Sequence, residues 1–135
     1  MKEQLLKLVE TSKKYTLDVA QAMPSEKYDT GPVEGVWNFR ELLHHVAYGI
    51  KWWESNYVRG VELDWKPTAT SKDKKEVISY LESSFNSLEY AIKDLAMDEG
   101  GVKGVYATLD HVTHHRGQAV LHLRGQGVEP PEYVY

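Results

Sequence analysis

Residues of one helical stripe recur at three- and four-residue steps through four stretches of this sequence, and no stretch alternates convincingly as a half-buried strand would. That period restricts the chain to helices that each hide one face. In the first stretch Leu5, Val9, Ser12, Thr16, Val19 and Met23 fall on one stripe with lysines and glutamates opposite, and Pro24 closes the helix. Turn formers follow in PSEKYDTGPVEG. Asn38 then offers an N-cap with Glu41 three residues on, an asparagine variant of the capping box. A second helix is therefore expected from about Asn38 to the Arg59-Gly60 region, carrying Phe39, Leu43, Val46, Ile50, Trp53 and Tyr57.

After VELDWKPTATS, Ser71 is placed to cap a third helix bearing Val77, Leu81, Ser84, Leu88 and Leu95, which Gly100-Gly101 ends or follows. A fourth helix holds Val105, Leu109, Val112, Val120 and Leu123. It should stop near RGQGVEPP, where glycine can adopt a left-handed C-terminal cap and proline forbids continuation. EPPEYVY is expected as an extended tail. The fold class expected is all-α, a four-helix bundle with neighbouring helices crossing at about 20°. The first two connections each run to roughly a dozen residues, longer than a tight helical hairpin needs, which leaves helix order open.

A chain of 135 residues with 41% apolar content can bury one continuous core, so a single domain over residues 1–135 is expected. Lys plus Arg number 16 against 20 Asp plus Glu, and no stretch concentrates basic residues, which argues against a nucleic-acid partner. The charged N-terminus MKEQLLKLVETSKKY lacks the apolar run of a signal peptide, and no window approaches the roughly 20 apolar residues of a membrane span. A soluble cytoplasmic protein is the simplest expectation. Cysteine is absent, so any transition-metal site must use imidazole and oxygen.

All six histidines lie in two windows, His44-His45 on the second helix and His111, His114, His115 and His122 on the fourth. Positions i and i+4 share a helical face, so His111 and His115 could present two imidazoles to one metal while a facing helix supplies a third. A helical wheel centred on the apolar set puts His115 at about 95°, His111 at about 135° and His114 at about 165°, which favours the His111/His115 pair. On the second helix His45 falls at about 115° and His44 at about 145°, a small difference. Neutral imidazole both donates and accepts hydrogen bonds, so His44, His114 and His122 suit structural or exposed positions.

The segment DHVTHHRGQAVLHLRGQGVEPP resembles the last helix of DinB/YfiT-like proteins, whose HxxxHRGQ pattern His111, His115, Arg116, Gly117 and Gln118 match in order. FRELLHHVAYGIKWW resembles that family's second helix, in which two apolar residues follow a ligand histidine; Val46-Ala47 selects His45. KYDTGP resembles its pre-helix turn. The resemblance implies a four-helix bundle with a divalent-metal centre made by His45, His111 and His115, zinc or nickel being the expected ion, frequently in a homodimer. Characterised members of that family include metal-dependent transferases that use small thiols such as bacillithiol, and a mycothiol-dependent isomerase; a metal-dependent transferase acting with a small thiol is the activity expected here. A metal-dependent hydrolase and a non-catalytic, metal-stabilised dimeric binding module are the alternatives.

Three neutral imidazoles leave at least one coordination position for water or substrate. Val112 stands where the zincin HExxH motif has its glutamate, which disfavours a peptidase of that type. Glu41 and Asp110 are the carboxylates nearest the histidines in sequence, yet capping suits Glu41 and a solvent-facing or supporting position suits Asp110. Arg116 could clamp an anionic substrate or lie along the core, and Gln118 could assist it or pack between helices. Trp37, Trp52, Trp53 and Trp65 could line a pocket mouth or serve core and dimer contacts.

Overall fold

Helix boundaries follow the side chains that satisfy free backbone groups at helix ends. The computed structural model covers Met1–Tyr135 and holds four α-helices and no strand: α1 (Lys2–Ala22), α2 (Phe39–Trp53), α3 (Lys74–Asp94) and α4 (Glu99–Gly125). At the start of α2 the Asn38 side chain accepts from the Glu41 N–H at 2.8 Å, and the Glu41 carboxylate accepts from the Asn38 N–H at 3.1 Å. Both halves of the capping box are thus formed. At the end of α1, Lys74 reaches back to donate to the Gln21 and Met23 carbonyls. The exit from α4 passes through Gly127 at φ +71°, the left-handed conformation that glycine adopts without strain.

Two sequence expectations, the Ser71 cap and the buried place of Tyr57, give way to stronger local chemistry. Asp73, not Ser71, caps α3: its carboxylate accepts from the Glu76 N–H at 2.9 Å, while Ser71 bonds to His44. Gly100-Gly101 follow the end of α3, as expected, and lie in the first turn of α4, where the Asp98 carboxylate accepts from the Gly101 N–H at 2.8 Å. Tyr57 is exposed rather than on the buried stripe. Past Trp53 the chain widens into a π turn, Glu54–Val58, whose extra residue rotates the buried face onto Glu54 and Val58. Buried Glu54 accepts from Arg59 at 2.7 Å and from Ser87 at 2.8 Å, which ties this turn to α3.

Contacts along the helices fix the order that the sequence left open. Lys2 meets Lys93 and Lys74 meets Gln21, so α1 and α3 are antiparallel. His45 meets His115, and the Trp37 carbonyl that precedes α2 meets His122, so α2 and α4 are antiparallel as well. His44 meets Ser71 just before α3, and Glu54 meets Ser87, which makes α2 and α3 parallel. Each of α1 and α2 packs against both α3 and α4 across one buried apolar cluster. The bundle therefore runs up, down, down, up. Residues 59–73 must return along its length, and this return crosses one side of α2.

Phe39, Leu43, Val46 and Ile50 of α2, with Phe85 and Leu88 of α3, are fully buried in that cluster. Replacing Phe85 by alanine removes a ring from a closed core and should cost about 3–5 kcal/mol. Asn38→Ala should cost about 1 kcal/mol through the lost cap. Chemical denaturation of the two variants beside the parent checks both magnitudes.

Candidate metal centre

The antiparallel packing of α2 on α4 places one position of the first opposite an i, i+4 pair of the second. His45 Nε2 lies 3.2 Å from His111 Nε2 and 3.1 Å from His115 Nε2, and ligand atoms of all three rings lie within 4.8 Å of one another. Two imidazole nitrogens held by one ion at about 2.1 Å stand roughly 3.1–3.4 Å apart for bond angles near 95–110°. The residues present fit such an ion. Hydrogen bonding gives a poorer account of the cluster: His115 gives its one proton to Gln118, and His45 Nε2 has a single proton or a single lone pair to offer to two neighbouring nitrogens. His111 Nδ1 is moreover buried with no partner.

Two neighbours set the cluster's geometry, and the sequence reading assigned neither to it. The Gln118 side-chain oxygen accepts from His115 Nδ1 at 2.9 Å, which fixes the tautomer and leaves Nε2 free to coordinate. Its i+3 spacing from His115 was the available signal. Gly49, one turn past His45 on the same face, lies under the His111 ring, and a Cβ there would overlap Cε1 of that ring. Only glycine lets α2 approach closely enough for the three nitrogens to meet.

Burial first, and the neighbouring imidazoles second, lower the pKa of His45 and His111 to about 4. His115 is lowered too, first by burial, with the Gln118 hydrogen bond opposing. Neutral rings are the form that coordinates, so little proton competition remains near pH 7.

Aromatic rings wall the cluster. Trp37 sits 4.5 Å from the His45 ring centre and Trp65, on the return link, 5.5 Å from it. Trp53 lies 6.3 Å from His111, while Trp52 packs on Trp53 and Trp65. Tyr48 anchors the link by accepting from the Lys66 N–H at 2.7 Å. Clefts open on both sides of Trp37: one of about 300 Å³ against His115, Val36 and Leu121, and one of about 280 Å³ against His45, Glu41 and Thr68.

The other candidates go elsewhere. His44 is buried and accepts from the Ser71 N–H through Nδ1 at 3.0 Å, while Nε2 lies 3.3 Å from the Thr68 hydroxyl. His122 bridges the Gln118 and Trp37 carbonyls at 2.8 and 2.9 Å, which holds Trp37 beside α4. His114 and Asp110 are exposed. Glu41 is engaged in the α2 cap. Arg116 points away from the cluster toward α1, near the Ser12 and Thr16 hydroxyls, so it does not clamp a ligand at the histidines.

The sequence profile of the DinB superfamily matches residues 8–124. The structure is similar to a crystal structure of a DinB-like protein from Bacillus cereus, with a TM-score of 0.81 and 18% identity over 98% of this chain and 97% of that one. At that identity the likeness speaks to the fold. No functionally curated protein matches the sequence. No helix is long and apolar enough to cross a membrane.

Gly49→Ala should force the His111 ring aside and destabilise the metal-free protein by about 1–3 kcal/mol, measurable by thermal unfolding with the His111 ring resonances as a local reporter. A pH series gives a second check. Because the folded pKa values of His45 and His111 lie below the unfolded value of about 6.5, the unfolded chain takes up protons that the folded cluster refuses. Stability of the metal-free protein should thus fall as pH drops from about 6.5 towards 4, and His111→Ala should flatten that slope.

Proposed function

The chain belongs to the DinB superfamily, and on that premise we propose that it binds one divalent metal ion, zinc or nickel, through His45, His111 and His115 and uses it in group transfer with a small thiol. The convergence of three imidazole nitrogens from two helices carries the reading. Zinc and nickel suit an all-imidazole donor set. A bound ion would lower the pKa of a thiol or water at its remaining position.

The protein's own groups favour a thiol over water as the nucleophile. Water needs help in losing its proton, yet Glu41 is engaged with the Asn38 N–H and Asp110 is exposed on α4. A thiol, with an ordinary pKa near 8.5, requires far less help. The two clefts beside Trp37 offer separate seats for a thiol and an acceptor, the one along Val36, Leu42 and Leu121 being the more apolar in its lining. Gln118 holds His115 in the coordinating tautomer, and Trp37 and Trp65 place apolar rings against His45.

Zinc titration should give one equivalent per chain, lost in His45→Ala, His111→Ala and His115→Ala. Gln118→Ala should weaken binding about 10- to 100-fold by removing the tautomer-fixing partner. Stoichiometric zinc in all three histidine variants would overturn the site. The reaction is tested with cobalt-loaded protein, which should gain a thiolate-to-metal charge-transfer band with a small thiol and accelerate its conjugation to an alkylating acceptor. Thiol-independent ester hydrolysis would select the hydrolase reading instead. Absence of both activities, with a large fall in melting temperature on chelation, would select a structural ion.

A further inference from the structure

Arg116 adjoins His115 in sequence, but one residue turns a helix by about 100°, and its guanidinium faces α1 rather than α2. It is 5% exposed, although arginine is almost never fully buried without a partner. No carboxylate pairs with it. One nitrogen, Nη1, reaches the Ser12 and Thr16 hydroxyls at 3.3 and 3.4 Å, both near the limit of a hydrogen bond. The guanidinium carbon stands 4.6 Å from the Tyr15 ring centre. Nε and Nη2 make no hydrogen bond within the protein, and neither is sealed from the space beside them.

That space is a cavity of about 630 Å³ between α1, α4 and the C-terminal tail, and none of the three clustered histidines lines it. Its volume is in the range of small-molecule sites. Arg124 adds a second cation, and Glu129 and Glu132 add two carboxylates from the tail, while Val120 and Tyr133 supply apolar surface. A dianion such as phosphate would meet both tail carboxylates. A single planar carboxylate matches the open fork of the guanidinium and leaves the rest of the ligand against the apolar wall.

We propose that this cavity is a second binding site, separate from the histidine cluster, for a small monocarboxylate whose carboxylate sits on the free edge of Arg116. The ligand completes an arginine that the fold buries without a counter-charge, at a position where an apolar side chain of similar volume would cost the fold less. Occupancy would also pin the tail to α1 and α4, since Tyr133 and Tyr15 share the cavity wall.

Proton–nitrogen NMR spectra of the full chain, titrated at constant ionic strength with benzoate, benzamide and inorganic phosphate, test the site. Benzoate should move the Arg116 side-chain resonance and the Thr113 and Val120 amides saturably; benzamide, its neutral isostere, should not, and phosphate should act at least tenfold more weakly. Arg116→Met should keep a folded spectrum and bind benzoate at least tenfold more weakly. If that variant does not fold, the benzoate-to-benzamide contrast in the parent decides alone. Equal responses to benzoate and benzamide, a response to phosphate as strong as to benzoate, undiminished binding in Arg116→Met, or benzoate shifts confined to His45 and His111 would each overturn the proposal.

Discussion

The close approach of α2 to α4 at Gly49 is the contact on which the histidine cluster depends. A helix face normally keeps its neighbour at the distance its side chains set, about 8–10 Å between axes. Removing one Cβ opposite His111 lets that ring lie against the backbone of α2 and point its Nε2 at His45. Two other devices then make the arrangement persist. Gln118 holds the His115 tautomer, and burial keeps His45 and His111 neutral by making their protonation unfavourable. The desolvation that makes protonation of these rings unfavourable leaves their nitrogen lone pairs free.

Helix direction has a consequence for the surroundings of the site. Because α2 and α3 are parallel, the link between them must travel the length of the bundle, and it does so past the open side of His45. Trp65 is carried on that link, and Tyr48 and His44 hold it to α2 through Lys66, Ser71 and Thr68. The opposite wall comes from the segment before α2, where His122 bonds the Trp37 carbonyl. The two exposed tryptophans thus flank the cluster because two irregular segments are bonded to helices by buried histidines. Of the six histidines, three converge and two fasten the walls around them.

Polar residues on one face of α4 differ in purpose from those a third of a turn away. His111, His115 and Gln118 look toward α2, whereas Arg116 looks toward α1 and the tail. In sequence these residues read as one HxxxHRGQ motif, which invites a single role for all of them. In three dimensions the motif splits between two sides of the helix, and the arginine's charge is spent in a different cavity from the one the histidines address.

The sequence alone determined the helices, most of their ends and the residue types of the site. Period and capping are local: they depend on residues three or four apart, and Asn38-Glu41 forms the box its spacing predicts. The Asp73-Glu76 pair carried the same signal for α3 and outcompeted Ser71, because a carboxylate with a glutamate three residues on satisfies two free N–H groups. The pairing of His111 with His115 was likewise legible from an i+4 spacing. What only the tertiary structure decided were the relations between distant segments: the up, down, down, up order, Gly49 as the gap that admits His111, and the turning of Arg116 toward a separate cavity. Each depends on the phase and direction of one helix against another. Packing of the whole core sets these, and no window of neighbouring residues contains them.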